Sequence, residues 1–172
     1  MKNIDVAIIM GSDSDLNIMK DAAKFLDDIG ISYEMKILSV HRTPEKATEY
    51  AEELKQRKVK VIIGGAGGAA HLPGVLAAQV PVPVIGVPIH TKTLNGVDSL
   101  YSIVQMPSGI PVATVAINGA KNAAILATTI LGISDETIQQ KLIDYKTSLK
   151  NAVIAKDEKL QAQGYEEYMK NM

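Results

Sequence analysis

Short runs of apolar residues recur along the chain and are separated by longer polar or mixed segments. Such runs are typical of strands that are buried on both faces of a sheet, as in parallel sheets. The pattern predicts five strands, over residues 6–10, 33–38, 59–63, 82–87 and 111–117.

Helical periodicity fills the segments between these strands. Apolar residues recur there every three or four positions, which places them on one face of a helix. The predicted helices end at Gly30, open at Thr43-Pro44-Glu45, cover residues 69–79 and 98–106, and run over 118–131 to Gly132. Thr43 is a favourable N-cap before a proline. The alternation predicts an α/β fold with three αβα layers, in which helices cover both faces of a doubly wound parallel sheet.

A further helix is predicted after the sheet is complete. Ser134-Asp135-Glu136 is a capping sequence, and an apolar stripe follows it at Ile138, Leu142, Tyr145, Leu149 and Ala152. This stripe packs either on its own domain or on a neighbouring subunit, and the pattern favours neither. We expect a catalytic domain over residues 1–132 and a C-terminal helical extension over residues 133–172.

Composition narrows the function classes. The 172 residues suffice for one domain with a sizeable core, and a net charge of −1 gives no general attraction to nucleic acid or membranes. The absence of cysteine excludes disulfides, thiolate metal sites and cysteine nucleophiles. Residues 1–5 lead into the first strand without the features of a signal peptide, and no apolar run is long enough to span a membrane. We therefore expect a cytoplasmic protein.

The first strand is followed by hydroxyl and carboxylate side chains over residues 11–15. Ligands of open parallel sheets bind beyond the carboxyl ends of the strands, so the loops that follow strands are the candidate sites. Ser12 and Ser14 at a helix start suit an anion, and Asp15 suits ribose hydroxyls. The same residue types are common as plain helix caps, and this loop alone favours capping.

The second strand is followed by His41 and Arg42, just before a helix N-terminus. An arginine can bind a phosphate with two parallel hydrogen bonds. A histidine can both donate and accept a proton near neutral pH. Considered alone, the pair is also compatible with a surface position without a function.

The third strand is followed by a glycine-rich run that includes Gly65, Gly67 and Ala70 in the spacing G-x-G-x-x-A. We reject a dinucleotide site, because the motif is not on the first strand and no acidic residue lies between Glu53 and Asp98. The glycines are better explained by close approach of a ligand to the backbone.

Three histidines occur in the chain, and their spacing does not suit a metal site. We expect His71 to support the third loop of the site and His90 to be an ordinary loop residue. No metal is expected.

Taken together, these segments resemble one family, the bacterial-type N5-carboxyaminoimidazole ribonucleotide mutases of de novo purine synthesis. The similarity extends over about the first 130 residues. Val40 departs from the alanine usual in that family. The resemblance is carried by Met10-Gly11-Ser12-Asp13-Ser14-Asp15, Ser39-Val40-His41-Arg42-Thr43-Pro44, Gly65-Ala66-Gly67-Gly68-Ala69-Ala70-His71-Leu72-Pro73-Gly74, Gly96-Val97-Asp98-Ser99-Leu100, Gln105-Met106-Pro107-Ser108-Gly109-Ile110-Pro111-Val112 and Asn122-Ala123-Ala124.

The resemblance implies a flavodoxin-like domain, a homo-octamer and an isomerase that works without cofactors on a small ribonucleotide. In the implied reaction, CO₂ leaves the exocyclic nitrogen of the substrate and is captured by ring carbon C4. The catalytic residue of the family falls on His41. The implied substrate contacts are Ser14, Ser39 and Arg42 for the phosphate, Asp15 for the ribose, Ser12, Ala66 and Gly67 for the base, and His71 and Leu72 beside them.

Two alternatives belong with this interpretation. One is the related carboxylase that uses free CO₂, in which the resemblance leads us to expect lysine after the histidine and no Gly-Ala-Gly-Gly-Ala-Ala-His run. The other is a receiver-like binding module without catalysis. It would need an acceptor aspartate at the end of the third strand, where this chain has Gly64 and Gly65.

Overall fold

A five-stranded parallel sheet forms the centre of the computed structural model, which describes residues 4–172. Residues 1–3, with which the predicted lead-in segment (residues 1–5) and the predicted catalytic domain (residues 1–132) both begin, lie outside the described residues. The strands have the order β2-β1-β3-β4-β5, so the predicted doubly wound, flavodoxin-like fold is confirmed. They are Val6–Met10 (β1), Tyr33–Ile37 (β2), Val61–Gly67 (β3), Val84–Ile89 (β4) and Ala113–Thr114 (β5).

Six helices follow or connect the strands in the described part of the chain. They are Leu16–Ile29 (α1), Pro44–Gln56 (α2), Leu72–Gln79 (α3), Val97–Val104 (α4), Ala120–Gly132 (α5) and Glu136–Lys170 (α6). Over residues 4–172, none of them is long and apolar enough to cross a bilayer.

The core consists of two apolar clusters, one on each face of the sheet. Along β1, Val6, Ile8 and Met10 belong to the cluster that packs under α1 and α5, whereas Ala7 and Ile9 belong to the cluster under α2, α3 and α4. This alternation follows from the two-residue period of a strand. Both faces are therefore covered, which explains why β1 is apolar throughout.

The glycine-rich run after the third predicted strand is itself part of β3, which extends to Gly67. The prediction of a loop there is wrong for Gly64 and Gly65, which pair with β1. A Cβ at Gly65 would lie 2.4 Å from Met19 Sδ on α1, and a Cβ at Gly64 would lie 3.2 Å from Pro73. These two glycines therefore allow helices to pack closely on the strand rather than admitting a ligand.

The predicted fifth strand is shorter than its apolar pattern suggests, because only Ala113–Thr114 pair with β4. The Pro88 carbonyl accepts from the Asn118 amide on this side of β4. Pro88 has no N–H to donate toward the same side, so the ladder lacks a bond there.

Two predicted helix ends differ in detail from the structure. The Thr43 hydroxyl does not cap α2; it donates to the Ser39 carbonyl at 2.8 Å. Gly132 is the last helical residue of α5 rather than the residue that follows the helix, and a Cβ there would be 3.4 Å from the Gln139 backbone.

The C-terminal helix α6 is capped by Asp135, whose carboxylate accepts from two backbone amides of the first turn. Leu142 is buried, and Ile138 and Tyr145 pack against the core under α1 and α5. The stripe is divided, since its last two residues, Leu149 and Ala152, are exposed. Gly164 interrupts the helical backbone with φ 75°.

Candidate active site

A cavity of about 580 Å³ lies at the carboxyl edge of the sheet. It is bounded by the segments that follow β1, β2, β3 and β4. Every site residue that the sequence suggested lines it: Ser12, Ser14, Asp15, Ser39, His41, Arg42, Ala66, Gly67, His71 and Leu72. The tertiary structure therefore brings these residues together, while their individual roles stay predictions.

The segment after β1 forms a short 3-10 turn with reciprocal caps. Ser12 Oγ accepts from the Ser14 amide at 3.3 Å, and Asp15 Oδ2 accepts from the Ser12 amide at 3.2 Å. Ser14 Oγ donates to Asp15 Oδ1 at 3.3 Å. The capping role considered from the sequence is thus present, and it holds the hydroxyls of the same residues at the cavity wall.

Asp15 is the only charged side chain among the buried polar residues of the described chain. Burial raises the pKa of its carboxyl above the ordinary value, against the opposing effect of hydrogen bonds from the Ser12 amide and the Ser14 hydroxyl. The structure thus holds a carboxylate at a position that disfavours its charge. Such a group is suited to accept hydrogen bonds from ligand hydroxyls.

The turn between β2 and α2 places Arg42 beside the segment that follows β1. Arg42 donates from Nε to Ser39 Oγ at 3.3 Å and from Nη2 to the Gly11 carbonyl at 3.2 Å. These bonds orient the guanidinium, and an arginine has five donors in total. The remaining donors suit an anionic group of a ligand.

The side chains of His41 and His71 contact each other in the lining of the cavity. His41 Nε2 lies 2.7 Å from His71 Nδ1, and the rings meet edge to face. This contact needs a proton on one of the two nitrogens and a lone pair on the other. The pair therefore presents one donor and one acceptor of a proton at the same place, and both rings are exposed to the cavity.

The wall beyond β4 was not anticipated from the sequence. Ile89, His90 and Thr91 line the cavity, so His90, which we expected to be an ordinary loop residue, borders the candidate site. Its amide is held by Asn118 Oδ1 at 2.9 Å. The rule that ligands bind beyond strand ends, applied to the fourth strand, would have indicated this segment.

Comparison with known proteins identifies the family. The sequence profile described as AIR carboxylase matches residues 5–152. The N5-carboxyaminoimidazole ribonucleotide mutases of Thermotoga maritima and Pyrococcus horikoshii are each 58% identical over 95% of this chain, and over 96% and 93% of their own lengths. The phosphoribosylaminoimidazole carboxylase of Saccharomyces cerevisiae is 52% identical over 96% of this chain, which spans 29% of that protein.

Solved structures agree with these sequence comparisons. The crystal structure of Treponema denticola PurE superposes with a TM-score of 0.84 and 34% identity. The alignment covers 90% of this chain and 97% of that one. The profile, the full-length relatives and the shared fold lead to one conclusion: the chain belongs to the AIR carboxylase family.

Proposed function

We propose that the chain is an N5-carboxyaminoimidazole ribonucleotide mutase of purine biosynthesis. The observation that carries this proposal is the contact of His41 with His71 in a cavity that also holds Arg42. A proton donor and acceptor and an anion-binding side chain thus surround one space of substrate size. The full-length similarity to proteins named as this mutase supports the choice of substrate.

The proposed reaction requires one proton to be delivered and one to be removed. The bond between the exocyclic nitrogen and the carboxyl carbon breaks, its electrons stay on nitrogen, and nitrogen takes a proton. Ring C4 then forms a bond to the released CO₂ and loses its hydrogen as a proton. His41 delivers the first proton and takes back the second, so the enzyme ends unchanged. His71 holds the His41 imidazole in place through the 2.7 Å contact.

The remaining cavity residues bind the ribonucleotide in this proposal. Arg42, Ser39 and Ser14 bind the phosphate, and Asp15 accepts hydrogen bonds from the ribose. Ser12, Leu72 and the backbone at Ala66 and Gly67 contact the base. Gly67 is an exposed glycine at the end of β3 and lines the cavity, so the base can approach its backbone.

We also propose that the enzyme is a homo-octamer. In the single chain His41, Arg42 and His71 are all exposed, whereas a site that must retain CO₂ needs to be closed. A neighbouring subunit can supply the missing wall. The exposed apolar residues of α6 beyond Leu149 are suited to such a contact. In this proposal residues 133–172 extend the catalytic domain of residues 1–132, and the enzyme works in the cytoplasm.

The nearest alternative is direct carboxylation of the unmodified ribonucleotide by CO₂. It has support from relatives named phosphoribosylaminoimidazole carboxylase, such as the Candida albicans protein with 54% identity. Arg42 and the run from Gly65 to His71 favour the mutase. A receiver-like module is disfavoured, because β3 ends in glycines without an acceptor aspartate.

A parallel assay separates these functions. The purified protein is given the N-carboxylated ribonucleotide in CO₂-depleted buffer, and separately the uncarboxylated ribonucleotide with bicarbonate. We expect the C4-carboxylated product to form rapidly from the first substrate. Product only from the second mixture would establish the carboxylase instead, and product from neither would contradict both enzymatic functions.

A further inference from the structure

The hydroxyl of Ser99 lies between β3 and β4 at the point where these strands separate. Ser99 is on α4 and is completely buried. Its Oγ accepts a hydrogen bond from the Gly68 amide at 2.9 Å and donates one to the Ile89 carbonyl at 2.6 Å. One buried side chain therefore joins the segment after β3 to the end of β4.

The strand register shows which bond this hydroxyl replaces. β3 and β4 pair in parallel as far as Ile89, in the pattern set by the Ile62 amide donating to the Pro83 carbonyl. The bonds of this ladder recur every two residues along each strand. The next bond after the last pair would join the Gly68 amide directly to the Ile89 carbonyl. The Ser99 hydroxyl is inserted into that bond and satisfies both groups, so the ladder ends there without an unpaired backbone group.

A second serine on α4 holds the same residue. Ser102 Oγ donates to the Gly68 carbonyl at 3.1 Å. Gly68 has φ +67°, a conformation that favours glycine. Both the amide and the carbonyl of Gly68 are therefore fixed by α4, and the chain changes direction at this fixed point.

The segment fixed in this way carries one half of the imidazole pair. His71 lies three residues beyond Gly68, and the intervening turn is tight, with the Ala70 amide donating to the Gly68 carbonyl at 2.8 Å. Gly67 and Ile89 line the cavity on the two strands that Ser99 keeps apart. The position of Gly68 thus determines both the width of the cavity and the place of His71.

We propose that Ser99 is a positioning residue for the reaction, a role that rests on the proposed function. Its hydroxyl keeps β3 and β4 from pairing one step further and thereby sets His71 against His41. Without the hydroxyl, the Gly68 amide and the Ile89 carbonyl each lose a partner. The amide and the carbonyl then form a hydrogen bond with each other. This bond draws β3 and β4 together, narrows the cavity and displaces His71.

The test is Ser99→Ala, analysed by crystallography and by steady-state kinetics on the N-carboxylated ribonucleotide. We expect the Gly68 amide within hydrogen-bond distance of the Ile89 carbonyl, and His71 displaced from His41. The expected fall in kcat is about 10-fold to 100-fold, as for other small misplacements of a reacting group. KM should change much less, because Arg42 lies on a different loop.

Thr128→Val is the matched control, since Thr128 is equally buried and its hydroxyl bonds only within α5, to Ala124. It should lose stability without a change in kcat. Should Ser99→Ala not fold, Ser102→Ala keeps the test available and should show a smaller fall in kcat with KM retained.

An unmoved His71, or an unchanged kcat despite a moved His71, would overturn the positioning role. Failure of the parent enzyme to convert the substrate would contradict the proposed function alone, because a displacement of Gly68 and His71 in the crystal structure of the variant can be measured without any turnover.

Discussion

His41 is the side chain on which the proposed reaction depends, because it alone is assigned both proton transfers. One of the two ring nitrogens of His41, Nε2, contacts His71 at 2.7 Å. The neighbouring Arg42 is oriented by Ser39 and Gly11 and is assigned to binding. The proposed function thus assigns proton transfer and phosphate binding to adjacent residues of one turn, and single substitutions can separate the two roles.

We predict that His41→Asn reduces kcat by at least about 100-fold, the range lost when a positioned acid–base group is removed. Asparagine has similar bulk and can still hydrogen-bond His71, but it cannot transfer a proton. Thermal unfolding and calorimetric titration with the C4-carboxylated product should show a folded variant that still binds. Turnover near that of the parent enzyme would contradict the assignment of His41.

We predict that Arg42→Ala raises KM by about 10-fold to 100-fold, as expected for loss of a charge-assisted hydrogen bond. Inorganic phosphate should inhibit the parent enzyme competitively and the variant much less. Lys46→Ala is the control, because it removes the same charge from an exposed position on α2 that does not line the cavity. An unchanged KM for Arg42→Ala would exclude a phosphate role.

We predict that Asp15→Asn unfolds at the same or a higher temperature than the parent at pH 7, while KM rises. Burial raises the pKa of Asp15 in the folded state. The favourable contribution of its protonated form is therefore complete below the unfolded pKa of about 4 and is lost as pH rises through the folded value.

The difference in melting temperature between Asp15→Asn and the parent should accordingly shrink as pH is lowered toward 4. The exposed neighbour Asp13 provides the matched control, since Asp13→Asn makes the same chemical change outside the buried position. A variant that melts well below the parent at pH 7 would show that the carboxylate stabilises the fold.

At the scale of elements, β2 is tied to α2 by a partly buried polar cluster. The Glu34 carboxylate on β2 accepts from Tyr50 Oη and from both terminal nitrogens of Arg57, at 2.7 and 2.9 Å. Burial alone would raise the pKa of Glu34, but the hydrogen bonds from Arg57 and Tyr50 outweigh it and lower the pKa. This cluster fixes the two elements whose connecting turn carries His41 and Arg42.

We predict that Glu34→Gln lowers the free energy of unfolding at pH 7 by about 1–3 kcal/mol, the usual cost of losing hydrogen bonds to a charged partner. Since the folded pKa is lowered, the stabilisation is present above the unfolded pKa and is lost as pH falls through the folded value.

The effect of Glu34→Gln should therefore be smaller at pH 4 than at pH 7 in urea titrations. Glu52→Gln, which removes an exposed carboxylate paired with Lys55, should change stability little at either pH. Equal effects of Glu34→Gln at both pH values would mean that packing, not charge, is responsible.

At the scale of the whole molecule, α6 has two unlike halves. Its first turns complete the core through Leu142 and Tyr145. Beyond Leu149, large apolar residues such as Val153 and Ile154 remain exposed in the single chain. Several large apolar side chains exposed along one helix are typical of a surface that contacts another subunit.

We predict that deleting residues 149–172 leaves a folded protein that does not form the proposed octamer and has lost most of its activity. A cut after Gly132 would not test this, because it also removes Leu142 from the core. Size-exclusion chromatography with light scattering measures the mass of the deleted form.

Val153→Asp should weaken assembly in the same direction as the deletion. Asn151→Asp adds the same charge at a polar position two residues away and should not. An active octamer formed by the shortened chains would show that this half of α6 is only a local cover.

The sequence by itself determined the fold class and indicated the residues that line the cavity, because both are encoded locally. Apolar runs and turn residues located β1 to β4 to within two residues at every strand end except the end of β3. A general rule for parallel sheets then pointed to the loops that follow the strands. The motifs around His41 and His71 then indicated the family. None of this required knowing which side chains touch.

Only the tertiary structure decided features that depend on contacts between distant segments. Glycines suit a ligand loop and a closely packed strand equally well, and it is Met19 on α1 that assigns Gly65 to packing. The 2.7 Å distance between His41 and His71 joins residues from two loops, and the place of His90 depends on how β4 lies beside β3. The apolar stripe of α6 is divided near Tyr145, because only its residues up to that point pack against the core under α1 and α5.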